Sequence, residues 1–263
     1  MLKRFLIALQ FLTIIPVRKS MLIAEADVSK SSSYFVMVGL VQGALLAATA
    51  YGAGRVFDPG LTAGITLFVL VLSNGGFHLD GLADTFDALA AKGDREKKLS
   101  VMKDGTIGPV GVIAVFFSLL MKYLAIKNLT LFPLFILYSS LLFMPAISKL
   151  AMVISMFYGK SARADGLGRL FIQNIGLREI LASTMILLSA IVAVQVFFNH
   201  YMSVSQYIFY AMALMSVYFL CLIAVNFLGR KFGGLTGDTL GAISEITEIT
   251  FLLLVLSWSR LFI

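Results

Sequence analysis

Three of the chain's 14 acidic residues fall in the stretch Phe77-His78-Leu79-Asp80-Gly81-Leu82-Ala83-Asp84-Thr85-Phe86-Asp87. On a helix, Asp80, Asp84 and Asp87 stand at i, i+4 and i+7 and share one face. Carboxylates stacked in this way raise one another's proton affinity unless a cation sits among them, and the stretch contains no Lys or Arg. A hard divalent ion is the economical partner. Mg2+ binds through one or two carboxylates and completes its shell with water and phosphate oxygens. Asp80, Asp84 and Asp87 are therefore candidate metal ligands, and His78 beside them is a candidate base or ligand. The competing reading is a helix end whose acids simply face water.

Three further segments carry polar groups of matching chemistry. Met102–Gly111 is a glycine-rich approach to a helix, in which Asp104 or Thr106 is expected to cap and Pro109 to fill the first turn; a helix start of this kind also suits a phosphate. Ser161–Arg169 sets Arg163 and Arg169 among glycines, and arginine grips phosphate oxygens two at a time. Gly233–Glu248 begins as a glycine loop with Gly237 and Asp238, then enters an apolar helix carrying Glu245 and Glu248 at i and i+3. Asp238 and Glu245 are seven apart, so these acids can share a face. Ionisable groups one or two turns inside an apolar span are costly and usually functional. Asp238 is read as a further metal ligand, and Asp87, His78 or Glu245 as the candidate general base. Asp104, Arg163, Arg169 and Gly237 are read as contacts to phosphate. Together the segments point to phosphoryl-type transfer on a phosphorylated substrate at a membrane surface.

The elements that must carry these residues follow from composition. Hydrophobic residues make up 59% of the 263 and charged residues 13%, and the mean hydropathy is +0.94. Soluble domains run near 45–50% apolar and about 25% charged. A soluble globular enzyme and a disordered chain are both excluded by these values. Apolar stretches near 20 residues without period-2 alternation specify helices that cross a bilayer. The expected fold is all-α: one polytopic membrane domain over 1–263. Its seven spans are Tyr34–Ala53, Leu61–Leu79, Gly108–Ile126, Leu131–Phe157, Arg178–Phe198, Ser205–Leu228 and Leu240–Phe262. Leu2–Val17 is too short to cross and reads as an interfacial helix. Pro145 is expected to kink the fourth span. The lone Cys221 excludes a disulfide framework and a cysteine metal site.

Lys and Arg set the orientation. Sixteen of the 21 fall in the N-terminal segment and in the loops near 80–107, 158–177 and 229–240. This places the N-terminus and the acidic segments in the cytoplasm. Lys122 falls with the opposite side, and Lys149 lies inside a span. His200, in an outer turn, has no assigned role. The net charge of +7 is read as affinity for anionic lipid head groups, with no nucleic-acid partner.

At these motifs the chain resembles the cobalamin synthase (adenosylcobinamide-GDP ribazoletransferase) family over nearly its whole length. The resemblance is carried by Ala8–Pro16, by Gly76–Thr85, by Asp104 with Ile107-Gly108, by Arg163–Gly168 and by Gly233–Ala242. It implies a Mg2+-dependent inner-membrane enzyme with adenosylcobinamide-GDP and α-ribazole, or its 5′-phosphate, as substrates. GMP would leave, and adenosylcobalamin or its 5′-phosphate would form. Carried onto this chain, the acidic motif makes Asp80 and Asp84 the best metal ligands; Asp104 and Asp238 stand in matching motifs. Two positions depart from the family pattern: Ala88 replaces an expected glycine and Thr106 an expected arginine, which removes one phosphate contact. A homo-oligomer is left open. The alternative reading is a transporter with an acidic cation or substrate pathway. A CDP-alcohol type transferase fails, because Asp84 follows Ala83 where that motif needs arginine.

Overall fold

The computed structural model describes residues 1–16, 25–164, 166–197 and 204–262. The described residues form α1 (Leu2–Leu12), α2 (Glu25–Ser31), α3 (Phe35–Ala53), α4 (Pro59–Ser73), α5 (Phe77–Ala90), α6 (Arg95–Val101), α7 (Pro109–Leu129), α8 (Leu134–Tyr158), α9 (Leu167–Asn174), α10 (Leu177–Phe197), α11 (Val204–Phe232) and α12 (Gly237–Phe262). No strand occurs among them, only a two-residue parallel bridge between Ser161 and Leu235. The fold is the expected all-α polytopic architecture. Six helical stretches are long and apolar enough to cross a membrane: Asp27–Ala53, α7, α8, α10, α11 and α12.

The second expected span, Leu61–Leu79, is broken. Helix α4 ends at Ser73, and α5 departs from it with an 85° bend. The cause is local. Gly75 and Gly76 both adopt left-handed φ, at 63° and 75°, and the Asn74 Oδ1 accepts the Gly76 N–H at 3.0 Å. A left-handed glycine pair stops a helix because neither residue can continue its ladder. The 15-residue α4 reaches only about 22 Å, short of the ~30 Å hydrocarbon core. We do not count α5 as a span, since it runs across the α4 axis rather than along it. The other spans lie within a few residues of expectation, and α8 runs as one helix through Pro145.

Helix α8 is the central element. Every residue from Phe143 to Met156 is buried, whereas α7 exposes Phe116 and Phe117 and α11 exposes Met215 and Phe219. Large apolar side chains on an outer face suit a lipid surround. Helix α3 packs on α8 through small residues: a Cβ placed on Gly39 would meet the Pro145 carbonyl and the Ala146 Cα at 2.6 Å. Backbones approach this closely in membrane bundles only where side chains are absent or small. The N-terminal α1 turns Ile7, Ala8 and Leu12 into the protein, with Phe11 stacked on Phe35 and Lys3 paired to Asp27 at 2.6 Å.

Candidate active site

Asp80 and Asp84 lie one turn apart on α5, Asp80 exposed and Asp84 half-buried. Helix α12 crosses α5 beside them. A Cβ on Gly81 would sit 2.6 Å from the Asp238 carbonyl oxygen, and one on Gly241 would sit 3.2 Å from the His78 Cα. Two glycines therefore let the helices touch, and this contact brings Asp238, from the first turn of α12, to the acids of α5. Burial and the nearby Asp80, Asp238 and Asp87 carboxylates push the Asp84 pKa up to about 6.

One positive group faces it. Arg163 Nη1 lies 3.5 Å from Asp238 Oδ2, and its Nη2 reaches the Leu99 carbonyl at 3.4 Å. The loop carrying Arg163 is paired with the glycine loop before α12. Ala162 N donates to Leu235 O at 2.8 Å and Leu235 N to Lys160 O at 2.6 Å. Arg95 of α6 fastens the pair: it donates to Ala162 O at 2.9 Å, and its guanidinium fills the space over Gly233. Thr236 and Thr239 then cap α12 reciprocally, Thr236 N donating to Thr239 Oγ1 at 2.8 Å and Thr239 N to Thr236 Oγ1 at 3.2 Å. These bonds satisfy amides that the helix start would leave orphaned. A hollow of ≈440 Å³ between α5 and the start of α7, lined by Gly76, Phe77, Leu79, Ala83, Ile107 and Val115, opens on Asp80.

Several expected site residues stand elsewhere. Asp87 is engaged as a helix cap: its Oδ2 accepts the Gly108 N–H at 2.6 Å and its Oδ1 the Gly111 N–H at 2.8 Å. The cap of α7 thus comes from α5, not from Asp104 or Thr106, which are both exposed in the preceding turn. Glu245 is 1% exposed, and its Oε2 accepts from Ser118 at 2.8 Å and from Lys122 at 2.7 Å. Seven residues of helix put it about 10 Å along α12 from Asp238, so it belongs to a second, internal charge cluster. Lys122, expected on the outer side, is 1% exposed inside the bundle. His78 is likewise buried, with Nδ1 3.5 Å from Lys149 Nζ. The Arg169 side chain is exposed and bonded to Gln173 and to the Ala164 carbonyl. Gly237 opens α12 with open space where a Cβ would stand, and Gly168 packs against its amide, a Cβ there falling 2.8 Å from Gly237 N. His200 lies outside the described residues. Arg95, which the sequence reading did not single out, is the clamp of the two loops; its signal was a lone arginine opening a short helix behind an aspartate cap, Asp94.

No three His, Cys, Asp or Glu side chains among the described residues converge tightly enough to enclose a metal ion by themselves.

A bundle of apolar helices with carboxylates and an arginine gathered at one end defines a polytopic membrane protein with a polar site at the mouth of its helices. Comparison with known proteins gives the family. The Cobalamin-5-phosphate synthase family profile matches residues 4–256. An adenosylcobinamide-GDP ribazoletransferase of Thermodesulfovibrio yellowstonii is 35% identical, covering 100% of this chain and 99% of the relative. A protein of the same description from Geotalea daltonii is 37% identical over 96% of each chain. No solved structure matches. The chain belongs to the Cobalamin-5-phosphate synthase family, transferases of cobalamin biosynthesis. The family resemblance carried by the motifs is thereby borne out.

Proposed function

We propose that the chain is a Mg2+-dependent transferase that joins α-ribazole, or its 5′-phosphate, to adenosylcobinamide-GDP with release of GMP. The observation that supports this most is the meeting of Asp80 and Asp84 on α5 with Asp238 on α12, opposite Arg163. One or two of the carboxylates of Asp80, Asp84 and Asp238 would hold the ion, with water and phosphate oxygens completing its shell. When bound, Mg2+ supplies charge neutralisation for a diphosphate and its leaving group. Asp87 is left out of the ligand set, because both of its oxygens accept α7 amides.

Arg163 is placed to hold a non-reacting phosphate oxygen through its planar fork. The Ser161–Leu235 bridge and Arg95 fix the loops on either side of it, so little ordering is needed when substrate arrives. The hollow beside Asp80 offers an apolar wall to a bulky substrate while its phosphates face the acids. The ribazole 3′-hydroxyl would attack the corrinoid-proximal phosphorus and give its proton to solvent, while the bond from that phosphorus to the GMP oxygen would break and GMP would leave. The Lys and Arg bias supports a cytoplasmic position for this end of the bundle and for the N-terminus.

The transporter reading is disfavoured by the pairing of the intramembrane acids: Glu245 and Glu248 are balanced by Lys122 and Lys149 together. The test is GMP release from adenosylcobinamide-GDP and α-ribazole by the purified protein, with and without Mg2+. Asp80→Ala should abolish release while the protein remains folded in the membrane. Wild-type release from that variant, or full activity in a chelator, overturns the reading.

A further inference from the structure

Among the described residues, Lys122, Lys149, Glu245, Glu248 and His78 form one cluster of ionisable side chains in the bundle interior. Lys122 of α7 binds Glu245 and Glu248 of α12. Lys149 of α8 lies 3.7 Å from Glu248 Oε1, 3.3 Å from Ser244 Oγ and 3.5 Å from His78 Nδ1 of α5. Ser148 donates to Glu248 at 3.1 Å. Lys122, Lys149, Glu245 and Glu248 are all at most 1% exposed, and His78 is 5% exposed. Burying such groups is expensive, and an apolar replacement of the whole set would fold as well or better. Two positive and two negative charges make the set electroneutral, so each pays part of the other's desolvation. Its place in the chain gives it a use. The set joins α5, α7, α8 and α12, and it enters α5 at His78, two residues before Asp80.

Helix α5 needs such a hold. The carboxylates of Asp80, Asp84 and Asp238 repel across the α5–α12 crossing. The start of α5 has no side-chain cap, only left-handed Gly76. Its far end is fastened twice, by Asp87 to the α7 amides and by Lys98, which donates to the Ala88, Leu89 and Ala91 carbonyls. Its near end is fastened by His78. Nδ1 of His78 faces Lys149 Nζ at 3.5 Å, where a lysine ammonium can donate to it. Asp80 and Asp84 lie between these two anchors.

We propose that Lys149, seated between His78, Ser244 and Glu248, is a positioning residue that sets how α5 lies on α12 and so holds Asp80 and Asp84 in register with Asp238. The inference rests on the reading of that acidic end as the transfer site. His78 serves as the acceptor for Lys149 and takes no part in the chemistry.

The chemistry of the acceptor supplies the test. Asparagine places a carbonyl oxygen close to the position of imidazole Nδ1, whereas leucine offers no acceptor. Steady-state transfer and thermal unfolding are measured for the full-length protein in nanodiscs. His78→Leu and Lys149→Met should lose about 100-fold in kcat, the cost of a small misplacement at a reacting centre, with KM changed less than about threefold. His78→Asn should restore most of the lost rate. A His78→Asn variant as inactive as His78→Leu, though equally well folded, overturns the proposal. So does wild-type kcat in Lys149→Met. If Lys149→Met fails to fold, Lys149→Met with Glu248→Gln replaces it, because Lys122 and Glu245 then remain a neutral pair; wild-type kcat there is equally fatal. Asp80→Ala is run alongside. Full transfer by that variant removes the site reading itself, whereas an inactive Asp80→Ala beside a fully active Lys149 variant removes only the present inference.

Discussion

Asp87 accepts the backbone N–H of Gly108 at 2.6 Å, and its second oxygen takes Gly111 at 2.8 Å. One side chain of α5 thus satisfies two of the free amides that open α7, and a carboxylate at a helix N-terminus also meets the positive end of the helix dipole. Removing a half-buried acceptor strands its donors, at the low end of roughly 1–3 kcal/mol. Asp87→Ala should therefore lower the thermal midpoint clearly, and Asp87→Asn, which keeps one acceptor oxygen, should fall between it and wild type. A variant that unfolds like wild type yet has lost transfer would assign Asp87 to the chemistry instead.

Gly81 has its own consequence. A Cβ there would lie 2.6 Å from the Asp238 carbonyl and 2.9 Å from the Asp238 Cα, so Gly81→Ala must push α12 off α5. Transfer should drop about 100-fold, the scale of loss for a shift near 1 Å in a reacting site. Gly52→Ala is the control, since nothing lies within 4 Å of a Cβ at that position. Equal activity in the two variants would show that the crossing does not set the site.

Lys122→Met leaves Glu245 and Glu248 facing Lys149 alone. An uncompensated buried charge costs about 3–5 kcal/mol, and the variant should unfold at a markedly lower temperature. Adding Glu245→Gln restores electroneutrality and should recover much of the loss. Without that recovery, the lysine matters through packing rather than charge.

Cation binding can be read without turnover. A ligand that binds only the folded state stabilises it by mass action, by about 1.4 kcal/mol at ten times its Kd. Mg2+ should raise the thermal midpoint of the wild-type protein, and the rise should vanish in Asp80→Asn and in Asp84→Asn. A rise that persists unchanged in both variants would place the ion elsewhere.

The spans and the acidic motif were legible because each depends on near neighbours: runs of apolar residues, and Asp80 with Asp84 a helical turn apart. The break at Asn74–Gly76 was written in the sequence too, in an asparagine followed by two glycines, both of which adopt left-handed φ. What could not be read were pairings between distant segments. The partner of Asp87 lies beyond a loop and a short helix, and Glu245 finds its cation on α7. Lys122 and Lys149 nevertheless carried a signal in being lysines within apolar runs. Such residues require partners of opposite charge at the same depth, and Glu245 and Glu248 were the acids at hand. Arg95 was hidden for another reason: the two loops it clamps are adjacent only once α9, α10 and α11 have been built between them.

The bridge between Ser161 and Leu235 turns two remote pieces of chain into a single ledge. Arg163 stands on one piece and Asp238 follows directly from the other, so their separation is fixed by main-chain bonds rather than by the intervening peptide. The excursion through α9, α10 and α11 is accordingly a detour: drift at its exposed positions, such as Met185 or Met215, leaves the relation of guanidinium to carboxylate untouched.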